Sequence, residues 1–441
     1  MKILFIAPLP PPVHGSSMVS KYIKESTLIQ ECFDCDFVNL STSRTMDEIG
    51  KGGLKKIFRF LGSLCSLLGK LLTHRYDLCY IAITCHGMGF LKDAPFALLC
   101  KLFGRKLLLH QHNKGMSRDC NRWPYRWLMP LVYRNATVML LSWNLYPDIS
   151  AVVKREQVIV CPNGVPPLDN ENLTAELRAT GNVERGTRGH ACVYDNDNEN
   201  DNLFKSTEFI LGQQNLDSNS QNAHTQACAC HPDGTVDCCL STVDTITDGE
   251  APRLLFLSNL IVSKGIYVLL EACQRLKERG VAFHCDYVGG ESKEVTGEQF
   301  RKAIAERGLE DCVTYHGPQY GADKDRAFRR ADIFVFPTFY DNECFPLVLV
   351  EAMQYRLPIV TTPEGGILDI VTDGVNGLVC KQQDVDSLVV ALSTLLADAA
   401  LRREMGERGH ARYLKEMTLE AFEGSFAEAL RSTVNRTGGA G

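Results

Sequence analysis

The sequence lacks several features that would assign it to a familiar class. No apolar run reaches the roughly 18 residues that a membrane-spanning helix requires, and the opening MKILFIAPLPPP is too briefly apolar for a signal peptide. GxGxxG, the fingerprint of dinucleotide binding, is absent. A net charge of −6 over 441 residues gives no general attraction for nucleic acid. We therefore expect a cytoplasmic globular protein without a nucleic-acid partner, with a place at the inner face of the membrane as the alternative.

Cysteine is plentiful, at 18 residues, but it is scattered along the chain. Cys32 and Cys35 form a lone CxxC, and without a second pair this spacing favours buried thiols over zinc or redox chemistry. A further group of candidate ligands consists of Cys228, Cys230, His231, Cys238 and Cys239. Its CxCH…CC spacing matches no common zinc site. We expect neither a metal nor a bound cofactor.

The first 165 residues alternate short apolar segments with segments of helical periodicity. Strands are predicted at Ile3–Ala7, Asp36–Leu40, Asp77–Ile83, Lys106–His112, Ala136–Leu141 and Gln157–Cys161. This alternation is typical of βαβ units, in which helices cover both faces of a parallel sheet. We predict a Rossmann-like domain over residues 1–165.

The alternation resumes at Pro252 and predicts a second doubly wound domain over residues 251–418. Its predicted strands are Arg253–Ser258, Ala282–Val288, Val313–Tyr315, Asp332–Phe336 and Leu357–Thr361. No Asp-x-Asp stands at the carboxyl end of these strands to hold a metal. Residues 419–441 predict a helix and a tail, with packing against the first domain as one option. The expected fold is α/β, two Rossmann-like domains facing a cleft, where ligands usually bind.

Between the two domains, residues 166–250 differ in composition. They hold 15 acidic and 4 basic residues, with tracts such as DNDNENDN and few large apolar side chains. Such a segment cannot bury enough apolar surface to offset the entropy lost on ordering. We predict a disordered insertion.

The strongest sign of a binding site is the segment DNECFPLVLVEA, which follows a predicted strand. Proline is well tolerated in the first helical turn, so Pro346 predicts a helix start. The N–H groups of Phe345 and Leu347, with that of Cys344, would then point out of a helix N-terminus, which suits a diphosphate.

Glu343 precedes this helix start and Glu351 lies inside the helix. Two carboxylates so placed can hold hydroxyl groups at opposite ends of a nucleotide-sugar. A helix whose dipole Glu343 merely faces would explain that carboxylate alone. It would not explain Glu351, which lies between the apolar residues Val350 and Met353.

Glu343 and Glu351, spaced as Glu-x7-Glu after a strand-end loop, resemble the donor-site motif of the family-four retaining glycosyltransferases of GT-B fold (glycosyl transferases group 1). LLFLSNLIVSKGIYVLLEA and TTPEGGILDIVTDGVNGLVC resemble the stretches on either side of that motif. The likeness spans 251–415 and, more loosely, the first domain. It implies transfer of a sugar from a nucleotide diphosphate sugar to an acceptor hydroxyl with retention, in polysaccharide or glycolipid synthesis.

Two other functions stay open beside this one. One is a nucleotide-sugar epimerase of the same fold, and the other is a catalytically weak nucleotide-sugar-binding protein. In the transferase, the resemblance implies that Glu343 holds the donor sugar, that Glu351 holds the ribose and that no metal takes part.

The resemblance assigns Lys264, in the KG pair, to the donor diphosphate. The alternative is an ordinary surface lysine at a helix start, where a cation is mildly unfavourable. The family has an arginine five residues earlier, where this chain has Asn259. Either Asn259 leaves a vacancy that an arginine would fill, or it is hydrogen-bonded in place and another cation, such as Lys114, completes the site.

The first domain supplies the acceptor side of the predicted site. Gly15 and Ser16 follow the first strand at a strand-to-helix turn, where the backbone can approach an oxyanion. His110 and His112 end the fourth strand, and doubly wound domains bind ligands at that edge. The resemblance points to one histidine in contact with the transferred sugar, and we choose His112 because it is nearest the strand end.

Residues 54–72 form an amphipathic segment with Lys55, Lys56, Arg59 and Lys70 among its apolar positions. One interpretation is a core helix beside the sheet. The other is a peripheral contact with an anionic membrane, which a lipid-linked acceptor rather than a free sugar would favour.

Overall fold

The computed structural model describes residues 1–11, 15–41, 53–168 and 251–436. Apart from 166–168, the predicted insertion lies outside these residues, and so does the cysteine group at 228–239. The described chain forms two α/β domains, each built on one six-stranded parallel sheet.

The first sheet has the strand order β2-β1-β3-β4-β5-β6, and every pairing in it is parallel. Its strands are β1 Lys2–Ala7, β2 Asp34–Asn39, β3 Leu78–Ile83, β4 Lys106–Gln111, β5 Thr137–Leu140 and β6 Val158–Val160. All residues of β3 and β5 are buried. Strands covered on both faces have to be apolar throughout, which is why short apolar runs predict them well.

In the described part of residues 1–168, seven α-helices accompany the first sheet. They are α1 Gly15–Glu25, α2 Thr27–Cys32, α3 Leu54–Thr73, α4 Gly87–Leu102, α5 Met116–Asp119, α6 Tyr125–Tyr133 and α7 Tyr146–Ile149. Phe90 and Phe96 of α4 are fully buried in the core.

The second sheet has the order β12-β11-β10-β7-β8-β9. Its strands are β7 Arg253–Leu257, β8 His284–Val288, β9 Val313–Gly317, β10 Ile333–Phe336, β11 Ile359–Thr361 and β12 Gly377–Val379. Its helices are α8 Ile266–Glu278, α9 Gly297–Glu306, α10 Gly321–Arg330, α11 Leu347–Gln354, α12 Val385–Ala397 and α13 Ala399–Glu416. The sequence does not predict β12, because three residues between two loops give no periodicity to recognise.

Each sheet has one point at which the strand order changes direction. From β7 the chain builds β8 and β9 on one side and then β10, β11 and β12 on the other. The first sheet changes direction in the same way between β1 and β3. Loops that leave the carboxyl ends of two such strands diverge and open a crevice between them, which is where doubly wound domains bind ligands.

The final described helix, α14 Leu419–Asn435, packs against the first sheet. Phe422 and Phe426 are buried in a cluster with Phe5 and Tyr80, and the rings of Phe426 and Tyr80 meet edge to face at 5.3 Å. Just before α14, the N–H of Val165 donates to the carbonyl of Met417 over 3.1 Å. The two chain segments that connect the domains, at Val165 and at Met417, therefore lie side by side.

Helix α3 turns most of its apolar residues outward. Only Leu67 and Leu71 are buried. Six other apolar side chains are 39–74% exposed: Leu54, Ile57, Phe58, Leu61, Leu68 and Leu72. The core-helix interpretation is thus wrong for most of this segment. Within the described residues, no helix combines the length and apolarity needed to cross a bilayer.

Candidate active site

Lys264 and Glu343 meet at the point where the second sheet changes direction. Lys264 ends the short turn after β7, Glu343 lies in the loop after β10, and the ammonium group donates a hydrogen bond to the carboxylate. Their side chains are only 13% and 10% exposed. Lys264 is therefore not an ordinary surface lysine. Removing two charges from water is costly, so their place in a crevice is consistent with a site for a charged ligand.

Aromatic rings and a glycine hold Lys264 in place. Its ammonium nitrogen lies 4.7 Å from the ring centre of Tyr340 and 5.3 Å from that of Phe336, distances at which the ring faces attract a cation. Gly265 has a φ of +86°, and a Cβ there would lie 2.2 Å from the carbonyl oxygen of Pro337. The glycine of the KG pair thus allows the loop after β7 to pack against the loop after β10.

A second close approach fixes the backbone of Glu343. A Cβ on Gly365, whose φ is +55°, would lie 2.1 Å from the carbonyl oxygen of Glu343. The N–H of Gly366 donates to the carbonyl of Cys344 over 2.6 Å. The PEGG segment after β11 therefore supports the Glu343 loop from the far side.

The helix after this loop starts one residue later than predicted. Pro346 has an extended backbone (φ −69°, ψ 110°), and α11 begins at Leu347. Phe345 and Cys344 therefore precede the helix, and the Phe345 side chain is buried. Because this side chain is buried, only the main chain of Phe345 is left to contact a ligand. The prediction for Phe345 concerns its main-chain N–H group.

Glu351 has a partner that the sequence did not indicate. Lys324 of α10 donates to both of its carboxylate oxygens, over 2.7 and 2.8 Å. Burial, and then the negative charges of Glu351 and Glu25, raise the pKa of Tyr22, so α1 of the first domain approaches Glu351. Val350 and Met353 beside it are fully buried. Lys324 is 27 residues from Glu351, and no local spacing connects the two.

Asn259 is hydrogen-bonded in place, as one of the two sequence interpretations expects. Its side-chain oxygen accepts from the N–H of Gly290 over 3.2 Å, and the N–H of Leu260 donates to the carbonyl of Gly290 over 2.8 Å. The side chain therefore joins the loops after β7 and β8. Lys264 and Asn259 both follow β7, where the resemblance places the pair.

The histidines of the first domain lie against each other. His110 is fully buried, its Nδ1 lies 2.7 Å from the hydroxyl of Tyr80, and its ring centre is 4.0 Å from that of His112. Burial, and then the neighbouring His112, lower the pKa of His110 well below its usual value. His112 is half-buried just beyond the end of β4. Gly15 and Ser16 form the first residues of α1, with Gly15 exposed.

Three polar contacts join the segments that follow β4 and β5 to the second domain. Lys114 pairs with Glu364. Both lie near the Cys344 thiol, whose pKa is raised by burial and then by the negative charge of Glu343, while the charge of Lys114 acts in the opposite direction. Arg118 pairs with Asp341 and donates to the side-chain oxygen of Asn342 over 2.7 Å.

The third contact is made by Asp369. Ser142 donates to one of its carboxylate oxygens, and Asn144 donates to the other over 2.9 Å. The carboxyl edges of the two sheets therefore face each other, with Lys264 and Glu343 in the crevice at the edge of the second. The sequence proposed Lys114 as an extra cation but did not indicate Glu364, Asp341 or Asp369.

The part of the chain that contains Lys264, Glu343 and Glu351 is similar to known sequences. Residues 244–412 match the family described as glycosyl transferases group 1. The amylovoran biosynthesis glycosyltransferase AmsK of Erwinia amylovora is 33% identical over 147 residues, 32% of this chain and 35% of that protein. The lipopolysaccharide core biosynthesis glycosyltransferase LpsE of Rhizobium meliloti is 28% identical over 187 residues, 42% of this chain and 52% of that protein. The chain thus spans about a third to a half of the length of these relatives.

Solved structures resemble the chain over nearly its whole length. HepE of Anabaena, solved in complex with UDP, gives a TM-score of 0.63 at 16% identity and covers 98% of this chain and 100% of its own. Sucrose-phosphate synthase of Thermosynechococcus elongatus gives 0.63 at 17%, covering 98% and 99%. These likenesses establish the fold. It is the GT-B fold of two Rossmann-like domains that the sequence predicts.

Proposed function

We propose that the protein is a glycosyltransferase that moves a sugar from a nucleotide diphosphate sugar to an acceptor hydroxyl, in the synthesis of a cell-surface polysaccharide or glycolipid. The observation that carries this proposal is the Lys264–Glu343 pair, held in the crevice of the second sheet. The UDP complex of HepE and the names of AmsK and LpsE support it. They favour transfer over the epimerase and over an inactive binding protein.

In the proposed reaction, bond cleavage at the anomeric carbon leaves negative charge on the departing diphosphate. Lys264 and the main-chain N–H groups before α11 stabilise that charge, the electrostatic effect that is usually largest in such transfers. Glu343 then holds hydroxyl groups of the donor sugar and Glu351 those of the ribose. The acceptor hydroxyl approaches from the first domain, beside Gly15 and His112. Its oxygen bonds to the anomeric carbon as the bond to the diphosphate breaks, and its proton leaves with the nucleoside diphosphate.

We extend the proposal to retention at the anomeric carbon and to a reaction that needs no metal. Both rest on the resemblance of Glu343 and Glu351 to the family-four donor motif. Product from a donor of known anomeric configuration, analysed by proton NMR, tests retention. Activity that persists in EDTA tests the second statement.

The main test incubates the protein with labelled UDP-, GDP- and ADP-sugars and follows nucleoside diphosphate release, with and without a mixture of glycan and lipid-linked acceptors. A transferase releases the nucleoside diphosphate faster when acceptor is present. Epimerised donor without acceptor dependence would contradict the proposal, and so would tight donor binding without turnover.

Matched variants connect that activity to the crevice. Lys264→Gln and Glu343→Gln should each lower the turnover at least about a hundredfold, since electrostatic groups of this kind contribute about 3 kcal/mol. The control variants are Lys302→Gln and Glu306→Gln, which break an exposed ion pair on α9 and should leave turnover unchanged.

We also propose a peripheral contact between residues 54–72 and an anionic membrane. The exposed apolar residues of α3 follow a helical row, and the helix carries four basic and no acidic residues. A helix of this kind lies in the plane of an anionic lipid surface. The parent protein should sediment with phosphatidylglycerol vesicles, and Phe58→Ser should sediment with them much less. The control Leu102→Ser, on the exposed end of α4, should sediment as the parent does. Equal capture of both variants would contradict the contact.

A further inference from the structure

Asp148 of α7 accepts four hydrogen bonds from the segment that follows β4. Its Oδ2 accepts from the N–H groups of Gly115 and Met116, over 2.8 and 2.9 Å. Its Oδ1 accepts from the N–H and from the hydroxyl of Ser117, over 3.2 and 2.7 Å. Hydrogen bonds to a charged acceptor are the stronger kind. One carboxylate therefore fixes three consecutive residues of 113–118, which we call the bridging segment.

The start of the bridging segment has a second anchor. The side-chain oxygen of Asn113 accepts from the N–H of Cys85 over 2.9 Å, and the Cys85 thiol donates to the carbonyl of Asn113 over 3.0 Å. Lys114 lies between this anchor and the residues that Asp148 holds. The main chain from which the Lys114 side chain extends therefore has a fixed position.

Arg118, at the other end of the bridging segment, contacts the second domain just before Glu343. Its guanidinium pairs with the carboxylate of Asp341 and donates to the side-chain oxygen of Asn342 over 2.7 Å. These two residues directly precede Glu343, whose N–H donates to the carbonyl of Tyr340 over 2.8 Å. The turn that presents Glu343 is therefore held from the first domain.

Lys114 contacts the second domain on the other side of Glu343. Its ammonium group pairs with one oxygen of Glu364, and the side-chain amide of Gln382 donates to the other oxygen over 2.7 Å. Glu364 directly precedes Gly365, the glycine that packs against the carbonyl of Glu343. The side chains of Lys114 and Glu364 are only 25% and 13% exposed, so water and salt screen this ion pair less than a surface pair.

We propose that Asp148 is a positioning residue for the transfer. By fixing the bridging segment, it keeps Lys114 and Arg118 in contact with the two sides of the Glu343 loop, and so keeps the Glu343 carboxylate in place. This rests on the proposed function, in which Glu343 holds hydroxyl groups of the donor sugar. The donor site of the second domain then depends on a contact made by the first.

The two ends of the donor should respond differently to a change at Asp148. Glu351 holds the ribose in the proposed reaction, and Lys324 of the same domain holds Glu351. Loss of the Asp148 carboxylate should therefore disturb the sugar end and leave the nucleotide end in place. A residue that only stabilised the first domain would change the free energy of unfolding but not the turnover of each folded molecule.

The test measures turnover and nucleotide affinity in Asp148→Asn. It uses the full chain, whichever of the UDP-, GDP- and ADP-sugars is turned over in the main test, and the corresponding nucleoside diphosphate. An amide has one acceptor oxygen where the carboxylate has two, so this variant loses hydrogen bonds to the bridging segment. Turnover should fall about ten- to a hundredfold, since a misplacement of about 1 Å can cost that much. Affinity for the nucleoside diphosphate, measured by calorimetry, should stay within about twofold of the parent value.

Three further variants show whether the carboxylate itself is needed. Asp398→Asn is the matched control, because Asp398 also accepts from a main-chain N–H, that of Leu401 over 2.9 Å, and it should keep the parental turnover. Asp148→Glu retains a carboxylate and should recover part of the turnover that Asp148→Asn loses. Ser117→Ala removes one of the four hydrogen bonds at an exposed residue, so it should fold and lower turnover a few-fold.

A double-mutant cycle connects Asp148 to the contact made by Lys114. Lys114→Gln should lower turnover as well, and Glu364→Gln should do the same from the second domain. Turnover of the double variant Asp148→Asn/Lys114→Gln should lie within about twofold of the worse single variant, because both changes release the same contact. Changes at independent sites would multiply their effects.

Three results would overturn the inference. They are turnover in Asp148→Asn and Ser117→Ala equal to that of the parent, an equal loss of turnover and of nucleoside diphosphate affinity, and multiplied losses in the double variant. Failure of the proposed function looks different, because the parent itself would then release no nucleoside diphosphate from any of the nucleotide-sugars.

Discussion

Glu351 is held by both of its oxygens to Lys324, so its role can be tested from either partner. In the proposed reaction Glu351 holds the donor ribose, so Glu351→Gln should remove a charge-assisted hydrogen bond and weaken donor binding by about 1.5–3 kcal/mol, ten- to a hundredfold. Lys324→Gln should do the same to a smaller extent, because it leaves the carboxylate in place but less firmly oriented. Calorimetric titration with the nucleotide-sugar measures both, with Glu306→Gln as the control. Donor affinity that is unchanged in Glu351→Gln would make this residue structural.

The structure favours the interpretation in which Asn259 is hydrogen-bonded in place over the one in which it leaves a vacancy. Because its side-chain oxygen accepts from Gly290, Asn259→Arg removes the bond that joins the loops after β7 and β8. We expect the Michaelis constant for the donor to rise and turnover to fall. A lower Michaelis constant would show instead that position 259 is a vacancy in the diphosphate site.

His110 gives stability a pH dependence whose sign follows from its lowered pKa. In the unfolded chain a histidine binds a proton near pH 6.5, while buried His110 stays neutral. The unfolded state therefore binds more protons below that pH, and the free energy of unfolding falls as the pH falls, by up to about 1.4 kcal/mol per pH unit. Urea unfolding at pH 7, 6 and 5 should show a smaller decrease in His110→Asn than in the parent or in the exposed control His74→Asn. Parallel curves would rule this out.

At the scale of single elements, α14 completes the first domain by covering its sheet. Phe426 has no exposed surface and contacts Phe5, Tyr80 and His110 through its ring. Phe426→Ala should lower the free energy of unfolding by about 3–5 kcal/mol, a large share of the about 5–15 kcal/mol of an ordinary domain. Leu414→Ala, at an exposed position of α13, is the control. A loss below about 1 kcal/mol in Phe426→Ala would mean that α14 contributes little.

The elements also show what the sequence can and cannot predict. Buried parallel strands such as β3 are continuous apolar runs, so their place in the chain is visible from local composition. The short β12 has no such run. For α3, periodicity identifies the helix but cannot tell which side of it is covered, because apolar residues surround more than one face.

The candidate active site, too, is predictable from the sequence only in part. Lys264 and Glu343 are recognisable because each stands in a motif at a strand end. Their pairing, and that of Lys324 with Glu351, depends on strand order and on contacts 79 and 27 residues apart. Local spacing carries no information on such distances, so these partners had to come from the structure.

For the whole molecule, residues 170–250 can be tested by deletion. Their acidic, aromatic-poor composition predicts that they add little to a packed core. Residues 165–168 have to stay, because Val165 pairs with Met417 and the carbonyl of Pro166 accepts from Gln354 over 2.9 Å. Replacing 170–250 with a short Gly/Ser linker should leave turnover within a few-fold of the parent. Loss of soluble expression would instead point to the cysteine group at 228–239 as a folding element.

The position of α14 also has a consequence for the way the chain is made. A ribosome releases β1 to β6 early, but the aromatic residues that cover Phe5 and Tyr80 are at 422 and 426. Val19, Ile23 and Ile29 of α1 and α2 belong to the same cluster, but the part of this sheet face that α14 covers stays exposed until residues 422–426 have been synthesised. Exposed apolar surface of this kind promotes aggregation of incomplete chains. A chain halted at 418 would retain both sheets and still lack that cover. The first domain to be translated is thus the last to finish folding.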